Sequence, residues 1–303
     1  MTDMKTRILH FSDVHFLPTM EILTLRDFLA LRRIAGWLNY ALFRRSRFAA
    51  SDTIVDALAA WSGREAFDAN LFTGDATSLG APGEIEQARK KLEPFTHLPG
   101  GLLLIPGNHD RYVIDGACGN RFDAAFSNFY RSDLPETTTD GHWPQVRLIG
   151  NHSAIILLHG ASPHRYIWFS CGAVPDIQIE GLKKALAHPH LQHRTVFVAT
   201  HHGPYRPEGH ADTAFHGLGN TTALFSVLRE HPRTILVHGH IHHRFHHPAT
   251  ADHPAIFCAG SVTFSGRETA WVYEIDESAC VRGVPADFLE GRWVLRPEQA
   301  INL

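Results

Sequence analysis

The sequence predicts an α/β fold, on two observations. Short apolar runs alternate with segments of helical periodicity along most of the chain. Several of those runs stop at Asp, Asn or His beside a glycine, as strands do where they carry polar groups to the carboxyl edge of an open sheet. Hydrophobic residues make up 44% of the 303 and charged residues 19%, so the chain can bury a core.

In chain order, strands are expected at residues 8–12, 70–73, 102–105, 147–151, 154–158, 195–200, 234–237, 255–258 and 270–275. Helices fit between them. Ser51 and Asp52 can cap a run at 53–62, while the run 83–92 has Glu84 and Glu86 early and Lys90 and Lys91 late, the polarity a helix dipole favours. Runs at 179–187 and 221–230 complete the set. Residues 111–145, rich in Asp, Thr, Gly and Pro, read as an irregular insertion or capping loop. No Pro- or Ser-rich linker divides the chain, which reads as a single domain over 1–303.

The basic segment 26–48 stands apart. Phe28, Leu31, Ala35, Leu38 and Leu42 recur at helical spacing, flanked by Arg26, Arg32, Arg33, Arg44, Arg45 and Arg47. Three readings stay open: a surface helix with a solvated basic face, a lid over an anionic substrate, and a peripheral membrane contact.

Composition narrows the function. With 28 Lys and Arg against 31 Asp and Glu, the net charge of −3 gives no excess to hold a nucleic-acid backbone, so stable nucleic-acid binding is not expected. Cys118, Cys171, Cys258 and Cys280 lie far apart with no C-x-x-C pair, which argues against a disulfide framework and for a reducing cytoplasm. Residues 1–7 lack the apolar stretch of a secretory signal, and no window of about 18 apolar residues reads as a spanning helix. No G-x-S-x-G elbow or phosphate-binding G-x-x-x-x-G-K-[ST] loop appears. Histidine is the outlier, at 23 residues, and imidazole is the commonest metal ligand.

Five apolar runs end in candidate ligands. They lead into Asp13-Val14-His15, Gly74-Asp75, Gly107-Asn108-His109-Asp110, His201-His202-Gly203-Pro204 and His238-Gly239-His240-Ile241-His242. One such ending is an ordinary turn; five make a mixed O/N donor set suited to borderline divalent ions. Gly74, Gly107 and Gly239 beside them let the backbone turn sharply. Asp75 could bridge two ions about 3.5–4 Å apart, the spacing that clamps a phosphoryl group. His10 and His238 read as hydrogen-bonded core histidines, and His243, His246 and His247 as loop or rim residues.

D-x-H, G-D, G-N-H-D, H-x-G-P and G-H-x-H, in this order over residues 8–275, resemble the calcineurin-like metallophosphoesterases. The resemblance implies a four-layer α/β/β/α sandwich with a dinuclear metal site at the strand carboxyl ends. It implies that Asp13, His15 and His242 bind one ion, Asn108, His201 and His240 the other, and that Asp75 bridges them. His109 would then face the substrate as the catalytic residue. Manganese and iron are the first candidates, then zinc, cobalt or nickel.

The block Gly74-Asp-Ala-Thr-Ser-Leu-Gly80 looks like that of the class III cyclic-nucleotide phosphodiesterase branch, and 35–45 is similar to an insertion of its bacterial members. Two features depart from relatives: His201-His202-Gly203-Pro204 replaces H-H-P-P, and the extra acidic residue of the Ser/Thr protein phosphatases is missing. The leading expectation is hydrolysis of a phosphodiester in a small phosphorylated substrate such as a cyclic nucleotide. The alternatives are a lipid-linked pyrophosphate hydrolase at a membrane surface and a non-catalytic metal-binding scaffold, the last of which predicts gaps among the seven ligands.

Overall fold

The computed structural model describes residues 5–19, 21–114, 118–166 and 168–303, without the Cys118 side chain. Residues 1–4, on which the reading of the N-terminus in part rests, lie outside the described residues. The elements run β1 (Thr6–Phe11), α1 (Leu31–Asn39), α2 (Ser51–Arg64), β2 (Ala69–Phe72), α3 (Pro82–Leu92), β3 (Leu102–Leu104), α4 (Cys118–Phe126), β4 (Gln145–Ile149) and β5 (Ser153–Leu157). They continue α5 (Asp176–Leu186), β6 (Thr195–Ala199), α6 (Thr221–Leu228), β7 (Thr234–His238), β8 (Arg244–His247), β9 (Ala255–Ala259), β10 (Thr269–Ile275), β11 (Val281–Leu289), β12 (Arg292–Leu295) and β13 (Ile301–Asn302).

Two sheets result. One is ordered β12-β11-β10-β1-β2-β3, with β13 also on β11; the other is β4-β5-β6-β7-β9-β8. Alternation along each strand assigns its two faces. Ile8, Leu71, Leu103 and Tyr273 from the first sheet meet Leu157, Phe197, Val237 and Phe257 from the second in one apolar layer. Leu9, Phe11, Phe72 and Leu104 face the other way, onto Ile54 and Leu58 of α2 and Ile85 and Ala88 of α3. Ala154, Ile156, Val196 and Val198 likewise face Leu182 of α5 and Leu224 of α6. The architecture is the expected α/β/β/α sandwich.

The parallel pairings β1–β2–β3 and β5–β6–β7–β9 put the carboxyl ends of each set at one edge of its sheet. The two edges are tied together, since the His240 backbone N–H donates to Asp13 Oδ2 at 2.8 Å.

Several expectations are corrected. Ser51 lies inside α2 and is buried; Ala50 holds the cap position, with no side-chain hydrogen bond. Residues 111–145 are not wholly irregular. Within them α4 sends Phe122 and Phe126 into the core against the first sheet's helices. The Gly and Asn that open α4 hide it from propensity. Residues 115–117 of this stretch lie outside the described residues.

The solvated basic face is corrected in part: Arg26, Arg45 and Arg47 are exposed, but the two arginines at the start of α1 are not. Arg32 and Arg33 of α1 are buried, whereas Leu31, Leu38 and Leu42 are exposed. Arg33 donates from Nε to Leu79 O at 3.1 Å and from Nη2 to Gly80 O at 2.8 Å, and pairs with Asp27 at 3.6 Å. Arg32 donates to the carbonyls of His164 and Phe169 and lies 4.7 Å from the Tyr112 ring centre. The arginines pin the helix by satisfying backbone carbonyls, which a buried guanidinium requires.

Candidate metal centre and phosphoester site

Every candidate ligand sits just past a strand, and most occupy a backbone conformation that costs energy. Asp13, His15, Asp75, His240 and His242 have φ of 55°, 47°, 62°, 71° and 55°. They are five of the eight non-glycine residues with positive φ among those described. Such residues cost about 1–3 kcal/mol each, and they persist where surrounding bonds over-determine them. Here the Asp13 N–H donates to Gly74 O at 2.9 Å, and the His15 N–H to Asp75 O at 3.0 Å.

The seven donors form two adjoining nests. In the first, Asp13 Oδ1 and His15 Nε2 each lie 3.0 Å from His242 Nε2. Asp75 Oδ2 is 3.7 Å from His15 Nε2, and the ligand atoms of these four residues lie within 4.8 Å of one another. In the second, His201 Nε2 stands 3.1 Å from Asn108 Oδ1 and 3.4 Å from the same Asp75 Oδ2. His240 joins His201 and His202 within 4.8 Å.

The histidine tautomers are set from outside. The Nδ1–H of His15 donates to Thr77 O at 3.1 Å and that of His201 to Thr73 O at 2.6 Å. The Nε2–H of His240 donates to His216 O at 3.0 Å. Each ring thereby turns its other nitrogen into the site, as metal-binding histidines do.

Electrostatics test whether a cation fits. Asp13 Oδ1 is buried and accepts no hydrogen bond, although His242 is beside it. Burial opposes charge on His201, yet Asp75 and Asp13 raise its pKa to about 9. Burial would lift the Asp75 carboxyl, but His201 and His109 hold it well below its usual range. Burial, with Arg44 and His109, holds His15 far below its ordinary value, and so His15 stays neutral. A buried carboxylate oxygen that accepts no hydrogen bond, ringed by inward-facing imidazole nitrogens in an anionic field, makes a site that fits divalent cations.

Around the nests stand the positioning groups. Asp110 Oδ2 accepts from the N–H groups of Asp75 and Gly107, both at 2.9 Å, and Oδ1 from that of Thr77 at 2.9 Å. The His109 N–H donates to Asp75 Oδ1 at 2.8 Å, while its ring Nδ1–H donates to Ser78 O at 2.6 Å. His109 Nε2 thus turns to Arg44, whose Nη1 is 3.5 Å away. Burial first, then Arg44, lowers His109 to about 4. A cavity of about 170 Å³ is lined by Tyr40, Arg44, Asn108, His109, Tyr112 and Ser170 among others. The segment 26–48 therefore walls the site.

Two participants escape the sequence. Arg44 turns inward because a π-helical turn, Tyr40–Arg44, follows α1 and breaks the 3.6-residue count. The His216 ring lies tilted 4.2 Å from that of His240, its Nδ1 2.6 Å from Asp212 Oδ2, and no regular element marks that pair. His202, expected outside the metal set, reaches into the second nest: Nε2 donates to Ser170 O at 2.8 Å, and its buried Nδ1 has no hydrogen-bond partner. His10 is a core histidine, with ring nitrogens 2.9 Å from Tyr273 Oη and 3.0 Å from Thr73 Oγ1. His246 and His247 lie in β8, half-buried.

A two-sheet sandwich with Asp, Asn and His converging at adjoining strand ends defines a metal-dependent phosphoesterase. The chain belongs to the calcineurin-like phosphoesterase family, whose model matches residues 6–244. Among solved structures it is similar to a dimetal phosphatase from Danio rerio, at 11% identity and TM-score 0.64 over 98% of each chain. It is also similar to a purple acid phosphatase from yellow lupin (Lupinus luteus) seeds, at 11% identity and TM-score 0.61, over 97% of this chain and 53% of that one. No curated protein matches the sequence. No helix among the described residues is long and apolar enough to cross a membrane.

Proposed function

We propose that the protein hydrolyses a phosphodiester of a small substrate, with cyclic nucleotides the first class to test. The carrying observation is Asp75 Oδ2, within 3.7 Å of His15 Nε2 and 3.4 Å of His201 Nε2, between two nests of N and O donors. Asp13, His15, Asp75 and His242 would hold one divalent cation, and Asp75, Asn108, His201 and His240 a second. Manganese or iron is the first choice for this donor set, ahead of zinc, cobalt or nickel. Bound there, two cations would neutralise phosphoryl oxygens and supply a nucleophilic water at neutral pH.

The chain's own groups do the rest. Asp110 fixes the backbone that aims Asp75, and His109 N–H fixes its carboxylate. Arg44, beside His109 on the cavity wall, would hold a non-bridging phosphoryl oxygen. His109 Nε2 would take up a proton from solvent water as that negative charge arrives and donate it to the leaving oxygen, ending as the neutral imidazole it began as. A diester carries one negative charge, and one guanidinium, Arg44, faces the cavity beside His109 while that of Arg32 is bonded to carbonyls. Beyond the two cations, which either ester would meet, that single guanidinium favours diesters over dianionic monoesters.

One assay panel tests the reading. Purified, manganese-loaded protein is given bis-aryl and mono-aryl phosphates, cyclic nucleotides and nucleotide-diphosphate lipids, with Asn108→Ala as blank. Bis-aryl turnover well above mono-aryl, with cyclic nucleotides cleaved, is expected. Preference for the monoester would end the diester assignment.

A further inference from the structure

The segment 26–48, with Leu25 just before it, carries its leucines on the outside. Leu25 is 90% exposed, Leu29 and Leu31 82%, Leu42 70% and Phe43 66%. Side chains of this size seldom stand together in water, and a run of them marks an interaction surface. The helix cannot roll to hide them, because Arg32 and Arg33 are locked beneath it by their bonds to His164, Phe169, Leu79 and Gly80. Across an apolar groove of about 830 Å³ from Leu31 stand Tyr166 and Trp168, their rings stacked at 5.0 Å, with Trp168 66% exposed.

We propose that this face docks on an anionic lipid bilayer, with Leu25, Leu29, Leu31, Leu42 and Phe43 entering the acyl boundary. Charge selects this occupant. No Asp or Glu occurs between Phe28 and Ser51, and exposed Arg26 and Arg45 flank the leucines, on a chain whose net charge is −3. An apolar face bordered by arginines, with Tyr and Trp at its rim, has the chemistry of an interfacial segment. The inner side of the same segment walls the cavity through Tyr40 and Arg44, so docking brings the hydrolytic site close to the headgroups. The proposal does not rest on the substrate reading, and vesicle binding reports on it without turnover.

Flotation with phosphatidylcholine vesicles, with and without phosphatidylglycerol, tests it. Wild-type protein is expected to float with the anionic vesicles, and a Leu29→Asp, Leu42→Asp, Phe43→Asp triple variant to lose at least tenfold in bound fraction with an unchanged melting temperature. Arg26→Glu with Arg45→Glu should abolish the preference for phosphatidylglycerol. Tryptophan emission should shift to the blue on binding, and Trp168→Phe should remove the shift. Wild-type protein left at the bottom of the gradient would overturn the proposal, as would a triple variant that floats equally well. A wild-type dimer in light scattering that the triple variant dissolves would make the face a contact between copies and equally overturn it.

Discussion

Asp75 Oδ2 lies 3.4 Å from His201 Nε2, and the two residues come from different sheets. The contact closes the site across the sandwich, and the same oxygen faces the first nest. Asp75→Asn should therefore empty both positions together. A loss of roughly 10³-fold in kcat is expected, the scale of removing a principal electrostatic partner from a water-poor site. Metal analysis should find fewer than one ion per chain. Two retained ions would show that Asp75 does not bridge.

Asn108 and His109 are neighbours with separable roles. The Asn108 side chain faces His201, whereas the His109 ring turns to Ser78 and Arg44. Asn108→Ala should lower metal content and activity together. His109→Ala should keep its metal and lose roughly 10²–10⁴-fold in kcat, the range for a positioned acid or base. Equal metal loss in both variants, with catalysis per ion unchanged in His109→Ala, would remove His109 from the chemistry.

These residues also show where legibility ends. The nine expected strands all exist, because their apolar runs are buried on both faces and leave a plain signal. β11 was hidden by Gly283 and Pro285 within it, and β8, Arg-Phe-His-His, carries no apolar alternation. The seven ligand candidates could be found because each follows a strand. Arg44, His216 and Asp212 could not: their positions depend on a π-turn and an irregular loop, set by tertiary packing. The amphipathic period of 26–48 was visible in sequence, but not which face turns inward; the partners that bury Arg32 and Arg33 come from distant loops.

His10 makes the fold sensitive to acid. Burial, with His238, lowers its pKa to about 3 from 6.5. Between those values the unfolded chain binds a proton that the folded chain refuses, so stability rises with pH there and falls as pH drops below about 6.5. The slope from this one group approaches about 1.4 kcal/mol per pH unit. Denaturant titrations of wild type and His10→Gln should differ by about one proton in that slope between about pH 4 and pH 6. Identical slopes would show that His10 protonates without unfolding the chain.

Two glycines separate the demands of the site from those of the scaffold. At Gly239 an added Cβ would strike Ser12 Oγ and sit on Asp13 Oδ2, the oxygen that accepts the His240 N–H. At Gly63, inside α2, it would meet nothing within 4 Å. Gly63→Ala should stabilise the chain by about 0.5–1 kcal/mol through helix propensity, with activity intact. Gly239→Ala must push Asp13 away from His240, so it should cost about 1–3 kcal/mol, the overpacking range. It should also lower the affinity of the first nest for its ion more than that of the second, because Asp13 belongs only to the first. Metal titration of the two variants, followed by calorimetry, checks both halves. A Gly239→Ala protein with wild-type metal affinity at both positions would mean that Asp13 is not held in place by the sheet-to-sheet contact.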